Sequence, residues 1–435
     1  MDLRIFPQHS NRPAQADVLL QGSKNSAICN IALPLFFSGA SSITHVPDIS
    51  DIREIIGHLA SAKCVARFGD GLLHLDTPGM MSVPYCSTGS LRTTASRFLI
   101  PGFLHRFGEY TTGPSRGDDL GNRQFDTYAA FLGHFGVRHE RSGDAYRFIH
   151  EPRSMSAITI SLPFPSFGLT VLAMLGALLQ RGTTVIKNAC QEPELINFCY
   201  NISKMGASIL RPSPTEVRIV HDNPLRSLDG INMADRNAAV TYTIASCLAQ
   251  VPLRLRGYDN IRMDAFHQFM ADIALPFSAT GNELHIAPRP FSEYRPLHLN
   301  ASLFPAFHSD WQPLVAPLLS RIGGESSIAE DLFEYRFAYI QELAKLGVVA
   351  EYDMKYRGRF GESPHPHRVI IRHSPDIHGG TVNATDLRGG ASLALLGLSI
   401  TEPVRIQNAQ HILRGYEHFD QILSKFGVTA DFVNK

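Results

Sequence analysis

The sequence predicts a mixed α/β protein of two domains, each built from three related α/β units. Its 435 residues are too many for one hydrophobic core and fit two domains of roughly 200 residues. Along the chain, an apolar segment, a polar turn, a short β-branched strand and an amphipathic helix recur in the same order. The turns recur about every 70 to 80 residues, which is too long for a solenoid of single supersecondary units. Six copies therefore indicate a repeated α/β unit, three to a domain.

The third copy shows the pattern most clearly. It has an apolar helix, a turn at Gly182, the β-branched strand TTVIKN and a helix over 193–205 with apolar spacing near 3.6. The polar stretch HDNPLRSLDGINMADRN, residues 221–237, follows this copy and predicts the domain boundary. The turn positions of the six copies are Gly39, Gly108, Gly182, Val251, Gly324 and Glu402.

The composition argues against several classes of function. Lysine and arginine together number 40, as do aspartate and glutamate, so no global field attracts nucleic acid or an anionic membrane. No segment approaches the ~20 apolar residues of a membrane span, and the N-terminal MDLRIFPQHSNRPAQ lacks a signal-peptide core. The cysteines form no C-x-x-C pair, and the histidine-rich ESPHPHRVIIRH has no matching ligand set. We therefore expect a cytoplasmic protein with buried thiols and no metal.

Basic residues gather at glycine-flanked or helix-opening turns. Lys24 lies in LLQGSKNSAICN, where a Gly-Ser-Lys turn offers backbone N–H groups and an ammonium to an anion, although the P-loop spacing is absent. Arginines in comparable places are Arg92, Arg97, Arg388 and Arg414. A surface ion pair is the ordinary interpretation of any one of them. Together they predict a site for a ligand that carries carboxylate and phosphate groups.

Two acidic features invite a catalytic interpretation. In FPAFHSDWQPLVAPLL, Ser309 or Asp310 is placed to cap the following helix, and Asp310 is equally a candidate general base. In GPSRGDDLGNRQFDTY, residues 113–128, glycines alternate with arginines and aspartates. The charge arrangement is typical of a loop that closes over an anionic substrate. We predict a lid over 113–126.

Several long motifs in one order resemble the enolpyruvyl transferase superfamily, and within it the UDP-N-acetylglucosamine enolpyruvyl transferases. They are GSKNSA, RGTTVIKNACQEPELINF, SDWQPLVAPLL, LFEYRFAYIQELAKLG, TDLRGGASL and HILRGYE. The resemblance extends from Gly22 to Val428 and implies an inside-out α/β barrel of six βαβαββ units. It implies one domain over 22–233 and a second over 1–21 and 234–435, with both contributing to the active site.

The resemblance also implies the chemistry. A hydroxyl of the acceptor adds to C2 of phosphoenolpyruvate while C3 is protonated, and the tetrahedral ketal then loses phosphate. This reaction needs a general acid, a general base and cations for carboxylate and phosphate. It needs no metal or organic cofactor, and no obligatory protein partner is implied.

Residues are assigned by the family motifs that they match. Asp310 matches the base on the acceptor hydroxyl, and Asp118 stands where most members carry the cysteine that protonates C3 and reacts with fosfomycin. We therefore predict fosfomycin insensitivity, with Asp118 as proton donor. Residues matched to the donor are Lys24, Arg123, Arg388 and Arg414, of which Lys24 and Arg388 also belong to the catalytic set. Residues matched to the acceptor are Asn25, Arg92, Arg123, Asp126, Ser166, Gly168 and Asp310. Acidic positions near the site are matched by Asp235 and Glu192.

Departures from the family pattern concern the acceptor. In LPFPSFGLT, Phe164 replaces the lysine of the diphosphate-binding turn, and Ala238 replaces a glutamate. Losing a cation there favours a smaller uridine nucleotide, with enolpyruvyl transfer to the 3′-hydroxyl of UMP as in nucleoside-antibiotic biosynthesis. The alternatives are the 3-hydroxyl of UDP-N-acetylglucosamine in peptidoglycan precursor synthesis, shikimate 3-phosphate, and a catalytically silent nucleotide-binding homologue.

Overall fold

The computed structural model describes residues 1–7, 13–81, 96–114, 125–152, 157–259, 261–361 and 363–434. They form two compact units. The first, which we call the discontinuous unit, takes in Met1–Gln21 and the described residues from Ala234 onward. The second, the inserted unit, takes in the described residues from Gly22 to Met233. Among the described residues, the chain leaves the discontinuous unit after Gln21 and enters it again at Ala234.

The strands and helices follow in chain order. The strands of the first half are β1 Asp2–Pro7, β2 Ala16–Leu19, β3 Ala40–Thr44, β4 Val65–Gly69, β5 Leu72–Asp76, β6 Glu109–Thr112, β7 Val137–Ser142, β8 Ala145–His150, β9 Ala157–Ser161, β10 Gly182–Lys187, β11 Ser208–Ser213 and β12 Glu216–His221. Those of the second half are β13 Asp229–Ile231, β14 Leu253–Arg256, β15 Phe277–Thr280, β16 Glu283–Ile286, β17 His298–Ser302, β18 Phe307–His308, β19 Glu325–Glu330, β20 Ala350–Tyr352, β21 Arg368–Arg372, β22 Gly380–Asn383, β23 Val404–Gln407 and β24 Val428–Val433. The α-helices are α1 Lys24–Asn30, α2 Ser50–Ser61, α3 Ser96–Phe107, α4 Phe125–Phe131, α5 Phe167–Ala177, α6 Pro193–Lys204, α7 Arg236–Ala249, α8 Asp264–Asp272, α9 Gln312–Arg321, α10 Ala338–Ala344, α11 Leu387–Gly397 and α12 Phe419–Ser424. Short 3-10 turns lie at Leu33–Phe36, Leu132–Phe135, Phe291–Glu293, Gly358–Phe360 and Ala409–Arg414.

Within the described ranges, each unit contains three sheets. In the inserted unit the strand orders are β13-β3-β5-β4, β6-β8-β7 and β11-β12-β10-β9. In the discontinuous unit they are β22-β23-β1-β24, β15-β16-β14-β2 and β18-β17-β19-β21-β20. The run β9, α5, β10, α6, β11, β12 shows the repeated unit, because β9 and β10 pair in parallel across α5 and the last two strands form an antiparallel hairpin.

Helices form the interior of each unit, and sheets form its exterior. Every residue of α7 and α11 is buried, as are nearly all residues of α5 and α9. Helices that are apolar all round are core helices. The strands instead alternate between buried and exposed positions, as β9 does, so one face of each sheet covers the helices and the other meets solvent. In the discontinuous unit α7, α9 and α11 pack on one another, and in the inserted unit α3 packs on α5.

The repeated turns have a common backbone requirement. Gly182 and Gly324 adopt positive φ angles of 113° and 93°, which only glycine adopts without strain. In the fourth copy, whose sequence has Val251 at this point, the preceding Gln250 takes a left-handed conformation with φ 55° at the end of α7. In this copy a positive φ thus occurs one residue before the position of the lost glycine. Across the described part of the chain, no helix is long and apolar enough to span a bilayer.

Candidate active site

Helix α1 begins at the Gly-Ser-Lys turn that the sequence singles out. Ser23 is its N-cap residue, and its Oγ accepts a hydrogen bond from the backbone N–H of Ser26 at 3.3 Å. Lys24 is the first helical residue, and its Nζ lies 2.7 Å from Oδ2 of Asp51 in α2. Because Asp51 is buried, it fixes the ammonium at the helix N-terminus, next to the half-buried Asn25. The predicted helix start is confirmed, while the roles of Lys24 and Asn25 stay predictions.

Close packing of the backbone explains the first glycine of this turn. A Cβ on Gly22 would lie 1.7 Å from the carbonyl oxygen of His45 and 2.9 Å from Nδ2 of Asn232. The Asn232 amide donates to the backbone oxygens of Ser23 and His45, both at 3.0 Å. The backbone before Lys24 therefore packs against the His45 carbonyl group and the Asn232 amide. This close packing requires glycine at residue 22, and it helps to place the Lys24 ammonium.

A second helix N-terminus, that of α5, gathers four residues of the inserted unit. Ser166 is the N-cap residue, and its Oγ accepts from the backbone N–H of Leu169 at 3.3 Å. A Cβ on Gly168 would lie 2.9 Å from Nη2 of Arg97 and 3.4 Å from Oη of Tyr128. The Arg97 guanidinium carbon lies 4.2 Å from the centroid of the Tyr128 ring. The structure thus brings the two predicted acceptor residues, Ser166 and Gly168, together with an arginine stacked on a tyrosine.

Asp126, predicted to contact a uracil, lies in the first turn of α4. Its Oδ1 accepts a hydrogen bond from Oη of Tyr146 at 2.6 Å, and its Oδ2 lies 3.4 Å from Nη1 of Arg141. Both partners belong to the β7–β8 hairpin, and the Asp126 side chain is half exposed. These contacts orient the Asp126 carboxylate. Its contact with a uracil stays a prediction.

Three predicted site residues, Arg92, Asp118 and Arg123, lie outside the described residues. Of the predicted lid loop over 113–126, only residues 113, 114, 125 and 126 are described. The proton-donor role of Asp118, the ligand contacts of Arg92 and Arg123, and the lid itself therefore stay predictions.

In the discontinuous unit, Asp310 is the exposed end of a network of four charges. Its Oδ1 accepts from Nη2 of Arg336 at 2.7 Å, and its Oδ2 lies 3.6 Å from Nε of Arg388. Nη1 of Arg336 also lies 3.6 Å from Oδ1 of Asp386. The side chains of Arg336 and Arg388 are only 2% and 3% exposed, against 23% for Asp310. The Asp310 carboxylate thus reaches solvent, whereas the two guanidiniums beside it are buried.

The interpretation of Ser309 or Asp310 as a helix cap is wrong. Helix α9 starts at Gln312, its N-cap residue is Trp311, and no side chain caps it. The Ser309 hydroxyl instead donates to Oε2 of Glu330 at 2.8 Å. The helix begins two residues later than a Ser309 cap requires and one residue later than an Asp310 cap requires, and the Asp310 carboxylate pairs with the buried Arg336 instead.

Glu330 forms hydrogen bonds with the segment before Asp310 and with the segment before Arg336. Its Oε2 accepts from the Ser309 hydroxyl, and its Oε1 accepts from the backbone N–H groups of Leu332 and Phe333 at 2.8 and 3.1 Å. Burial raises the pKa of Glu330 to about 7, although the neighbouring Arg336 and these hydrogen bonds act in the opposite direction. For Arg336, burial alone lowers the pKa, and the carboxylates of Asp310, Asp386 and Glu330 outweigh it and raise the pKa.

Arg388 lies in the first turn of α11, whose N-cap residue is Asp386. The Asp386 Oδ1 accepts from the backbone N–H groups of Arg388 and Gly389 at 2.9 and 3.0 Å. The Arg388 guanidinium carbon lies 5.1 Å from the centroid of the Tyr416 ring. Its Nε and Nη1 are buried and have no hydrogen-bond partner among the described residues. Buried donors without acceptors are costly. The predicted role of Arg388 toward the donor substrate stays a prediction.

The three other predicted residues, Arg414, Asp235 and Glu192, lie in different structural settings. Arg414 ends the 3-10 turn Ala409–Arg414, two residues before Tyr416, and is half-buried. Asp235 is the N-cap residue of α7, where its Oδ1 accepts from two backbone N–H groups of the first helical turn, at 2.7 and 2.9 Å. Glu192 precedes α6 without capping it and is buried. Over the described ranges, no group of three or more histidine, cysteine or acidic residues is placed to hold a metal ion.

Sequence reasoning missed Arg336, Asp386 and Glu330. Arg336 lies in LFEYRFAYIQ, where aromatic residues on both sides of an arginine signal its burial. Its partners are 26 and 50 residues away, a distance over which no local pattern operates. Tyr128 was also missed, because its stacking on Arg97 depends on the approach of two helices.

The comparison with known proteins decides the family. A sequence profile of EPSP synthase (3-phosphoshikimate 1-carboxyvinyltransferase) matches residues 9–423. The chain belongs to this family of enolpyruvyl transferases. Over 426 residues, this enolpyruvyl transferase is 27% identical to the UDP-N-acetylglucosamine 1-carboxyvinyltransferase of Streptococcus pneumoniae serotype 2 (strain D39 / NCTC 7466), and 97% of each sequence is covered.

Solved structures agree with the fold. The enolpyruvyl transferase NikO from Streptomyces tendae superposes with a TM-score of 0.86 at 22% identity, covering 99% of this chain and 98% of that one. EPSP synthase from Acinetobacter baumannii superposes with a TM-score of 0.76 at 13% identity, covering 99% and 100%. The predicted α/β fold class is confirmed. The predicted transfer of an enolpyruvyl group is likewise the activity of this family.

Proposed function

We propose that this enolpyruvyl transferase moves the enolpyruvyl group of phosphoenolpyruvate to the 3′-hydroxyl of UMP, with release of phosphate. The observation that carries the reaction type is the partly exposed carboxylate of Asp310, held at 2.7 Å by the buried Arg336 beside Arg388, whose buried Nη1 has no hydrogen-bond partner among the described residues. A base oriented by a buried cation, next to guanidinium donors that lack acceptors, is what addition of a hydroxyl to an anionic enol phosphate requires.

The proposed ligands of the donor are four cations. Arg388 supplies buried N–H donors that lack acceptors among the described residues, and Arg414 lies two residues before Tyr416. Lys24 supplies an ammonium fixed by Asp51 at a helix N-terminus. Arg123 is the fourth donor-binding residue by its place in the family motif. Carboxylate and phosphate oxygens pair with the planar fork of an arginine or with the point charge of a lysine, and this set offers both kinds of partner.

In the addition step, the Asp310 carboxylate accepts the proton of the acceptor hydroxyl while that oxygen forms a bond to C2. Asp118 delivers a proton to C3, and the result is a tetrahedral ketal. In the elimination step, the Asp118 carboxylate takes a proton back from C3, the C2–C3 double bond re-forms, and the C2–O bond to phosphate breaks with its electron pair leaving on the phosphate. Arg336 orients the Asp310 carboxylate for the proton transfer from the acceptor hydroxyl and remains a cation itself, because an arginine does not release its proton at neutral pH.

The choice of UMP depends on the α5 turn. Phe164, which stands where the family's diphosphate turn has a lysine, is 39% exposed and lies two residues before Ser166. An exposed phenyl ring offers no counter-charge to a diphosphate. A nucleoside monophosphate needs one anion site fewer. Asn25, Arg92, Arg123, Asp126, Ser166 and Gly168 are the proposed acceptor contacts.

UDP-N-acetylglucosamine is the second candidate acceptor. A specific observation favours it: relatives that match over nearly the whole chain are named as transferases for that substrate. Both acceptors are uridine nucleotides, so the same base, acid and donor site would serve either reaction.

The test is phosphate release by the purified protein with phosphoenolpyruvate and, separately, UMP, UDP-N-acetylglucosamine or shikimate 3-phosphate. We expect release with UMP to exceed release with the other two, and mass spectrometry to find the carboxyvinyl ether of UMP. Preferential turnover of UDP-N-acetylglucosamine would reassign the acceptor. Binding of UMP without release from any acceptor would identify a catalytically silent homologue.

A further inference from the structure

We propose that Arg97 is a specificity-determining residue that binds the 5′-phosphate of the acceptor and replaces the cation lost at Phe164. The inference rests on the proposed function and deepens it, because it names the residue that selects a monophosphate. Neither Arg97 nor its partner Tyr128 is matched to a ligand by the family motifs.

The position of Arg97 is the first argument. Its guanidinium lies against Gly168, so closely that a Cβ there would be 2.9 Å from Nη2. Gly168 is the second residue of α5. The absence of a side chain therefore lets a guanidinium approach the N-terminus of an eleven-residue helix, where backbone N–H groups and the helix dipole also favour an anion.

The unpartnered Nε of Arg97 is the second argument. Nε of Arg97 is buried and has no hydrogen-bond partner among the described residues. Within that same part of the chain, the guanidinium forms no ion pair with a carboxylate. It is held instead by aromatic faces, 4.2 Å from the Tyr128 centroid and 5.0 Å from that of Phe98. Stacking orients the planar fork without using its N–H groups as hydrogen-bond donors, and a phosphate is one of the oxyanions that such a fork binds through two parallel hydrogen bonds.

The replacement at the turn is the third argument. Phe164 and Ser166 belong to one tight turn, in which the Ser166 N–H donates to the Phe164 carbonyl oxygen at 2.7 Å. A lysine at residue 164 and an arginine at residue 97 would place two cations near one helix N-terminus, a combination suited to a diphosphate. With Phe164 exposed and uncharged, Arg97 supplies the single cation that a monophosphate requires.

The test compares acceptors that differ only in the phosphate. For Arg97→Met, which keeps the aliphatic stem, we expect KM for UMP to rise about 10- to 100-fold, the loss expected for a charged hydrogen bond. We expect kcat and KM for phosphoenolpyruvate to change less than about threefold. With uridine, which lacks the phosphate, the variant and the wild type should have equal kcat/KM. Arg147→Met, which removes an exposed arginine of β8 paired with Glu109, is the matched control.

A second pair of variants keeps the inference testable if Arg97→Met folds poorly. Arg97→Lys retains the charge without the fork, so its KM for UMP should lie between those of wild type and Arg97→Met. Phe164→Lys should raise kcat/KM for UDP-N-acetylglucosamine at least about fivefold relative to UMP, since it restores the second cation.

Two outcomes overturn the inference. One is an unchanged KM for UMP in Arg97→Met, and the other is an equal loss with UMP and uridine. Failure of the proposed function is recognised separately, because it is a property of the wild type: if wild type turns over neither uridine nucleotide, calorimetric titration with UMP still compares its affinity with that of Arg97→Met. Equal affinities there would also refute the role of Arg97.

Discussion

Arg336 donates a hydrogen bond to Asp310 at 2.7 Å, and the donor is fully buried while the acceptor is partly exposed. This asymmetry fixes the direction in which the pair can act. The carboxylate reaches solvent, whereas the guanidinium is positioned only to orient it. Several expected results follow from this arrangement and from its neighbours.

Asp310→Asn removes the proposed base with little change in shape. We expect kcat for phosphate release to fall about 100- to 10,000-fold, the range for loss of a general base, with KM for phosphoenolpyruvate changed less than about threefold. Steady-state assays with UMP measure both constants. Asp376→Asn, at an exposed aspartate of the same unit, should be neutral. A kcat for Asp310→Asn within about tenfold of wild type would exclude the base role.

Arg336→Met should destabilise the discontinuous unit as well as slow the reaction. Removing the buried guanidinium leaves Asp386 without its nearest charged partner, and breaking a buried ion pair costs about 3 to 5 kcal/mol. The free energy of unfolding from urea titration measures this cost. Combining the change with Asp310→Asn should cost less than the two single changes together, because the two side chains interact directly. Strict additivity would mean that the hydrogen bond contributes nothing.

Glu330 should make the free energy of unfolding decrease as pH rises. Its folded-state pKa is raised to about 7 by burial, against an unfolded value near ~4.3. The folded protein therefore binds the proton more tightly, so the stability from this group is complete below about pH 4 and is lost as pH rises through 7. Glu330→Gln stays neutral, and its stability relative to wild type should increase by roughly 3 kcal/mol between about pH 5 and 8.

Unfolding of both proteins by urea at several pH values across this range tests the expectation. Glu342→Gln is the control, since Glu342 is a mostly buried glutamate of the same unit that pairs with Lys345. A difference between wild type and Glu330→Gln that does not vary with pH would show that Glu330 keeps an ordinary pKa in the folded protein.

Gly22 and Gly57 form a matched pair for backbone packing. Gly22→Ala places a methyl group 1.7 Å from the His45 carbonyl oxygen and should destabilise the inserted unit by about 3 kcal/mol or more. Gly57 lies within α2, and a methyl group at this position would have no heavy atom within 4 Å apart from its chain neighbours and the backbone of its own helix. Gly57→Ala should therefore stabilise the unit by up to about 1 kcal/mol. Thermal unfolding of the two variants should shift in opposite directions.

Fosfomycin tests the position of Asp118. We expect no time-dependent inactivation of the wild type, and we expect Asp118→Cys to gain a covalent adduct that mass spectrometry detects. The described cysteines are all buried and do not compete for the inhibitor: Cys29, Cys64, Cys190, Cys199 and Cys247. Burial raises the pKa of the Cys64 and Cys199 thiols to about 11, which makes them poor nucleophiles. Rapid covalent inactivation of the wild type would place the reactive residue elsewhere.

Local features of the sequence predicted local structure well. The Gly-Ser-Lys turn opens a helix, and the α/β repeat recurs as three sheets in each unit within the described ranges. In these places the residues that specify a structure and the structure itself lie in one short segment, such as a capping serine and the helix that it caps.

Contacts between residues far apart in the chain could not be predicted from the sequence in the same way. A serine and an aspartate before an apolar run look like a helix cap, but Glu330, 21 residues away, takes the serine hydroxyl, and Arg336 takes the carboxylate. Likewise, the stacking of Arg97 on Tyr128 depends on where α3 and α4 lie in the folded inserted unit. The residues that orient a catalytic group come from distant segments, and a sequence pattern does not show which ones meet.

The order of strands in the discontinuous unit bears on how the chain folds as it is synthesised. Leu3 in β1 pairs with Ile406 in β23 and with Phe432 in β24, and β2 pairs with β14. At a translation rate of about 5 to 20 residues per second, β1 waits roughly 20 to 80 seconds for these partners. The inserted unit has all its strand partners within its own described residues and is complete long before then. Strand β1 therefore lacks its two partners during most of synthesis, and its backbone N–H and C=O groups stay exposed for that time.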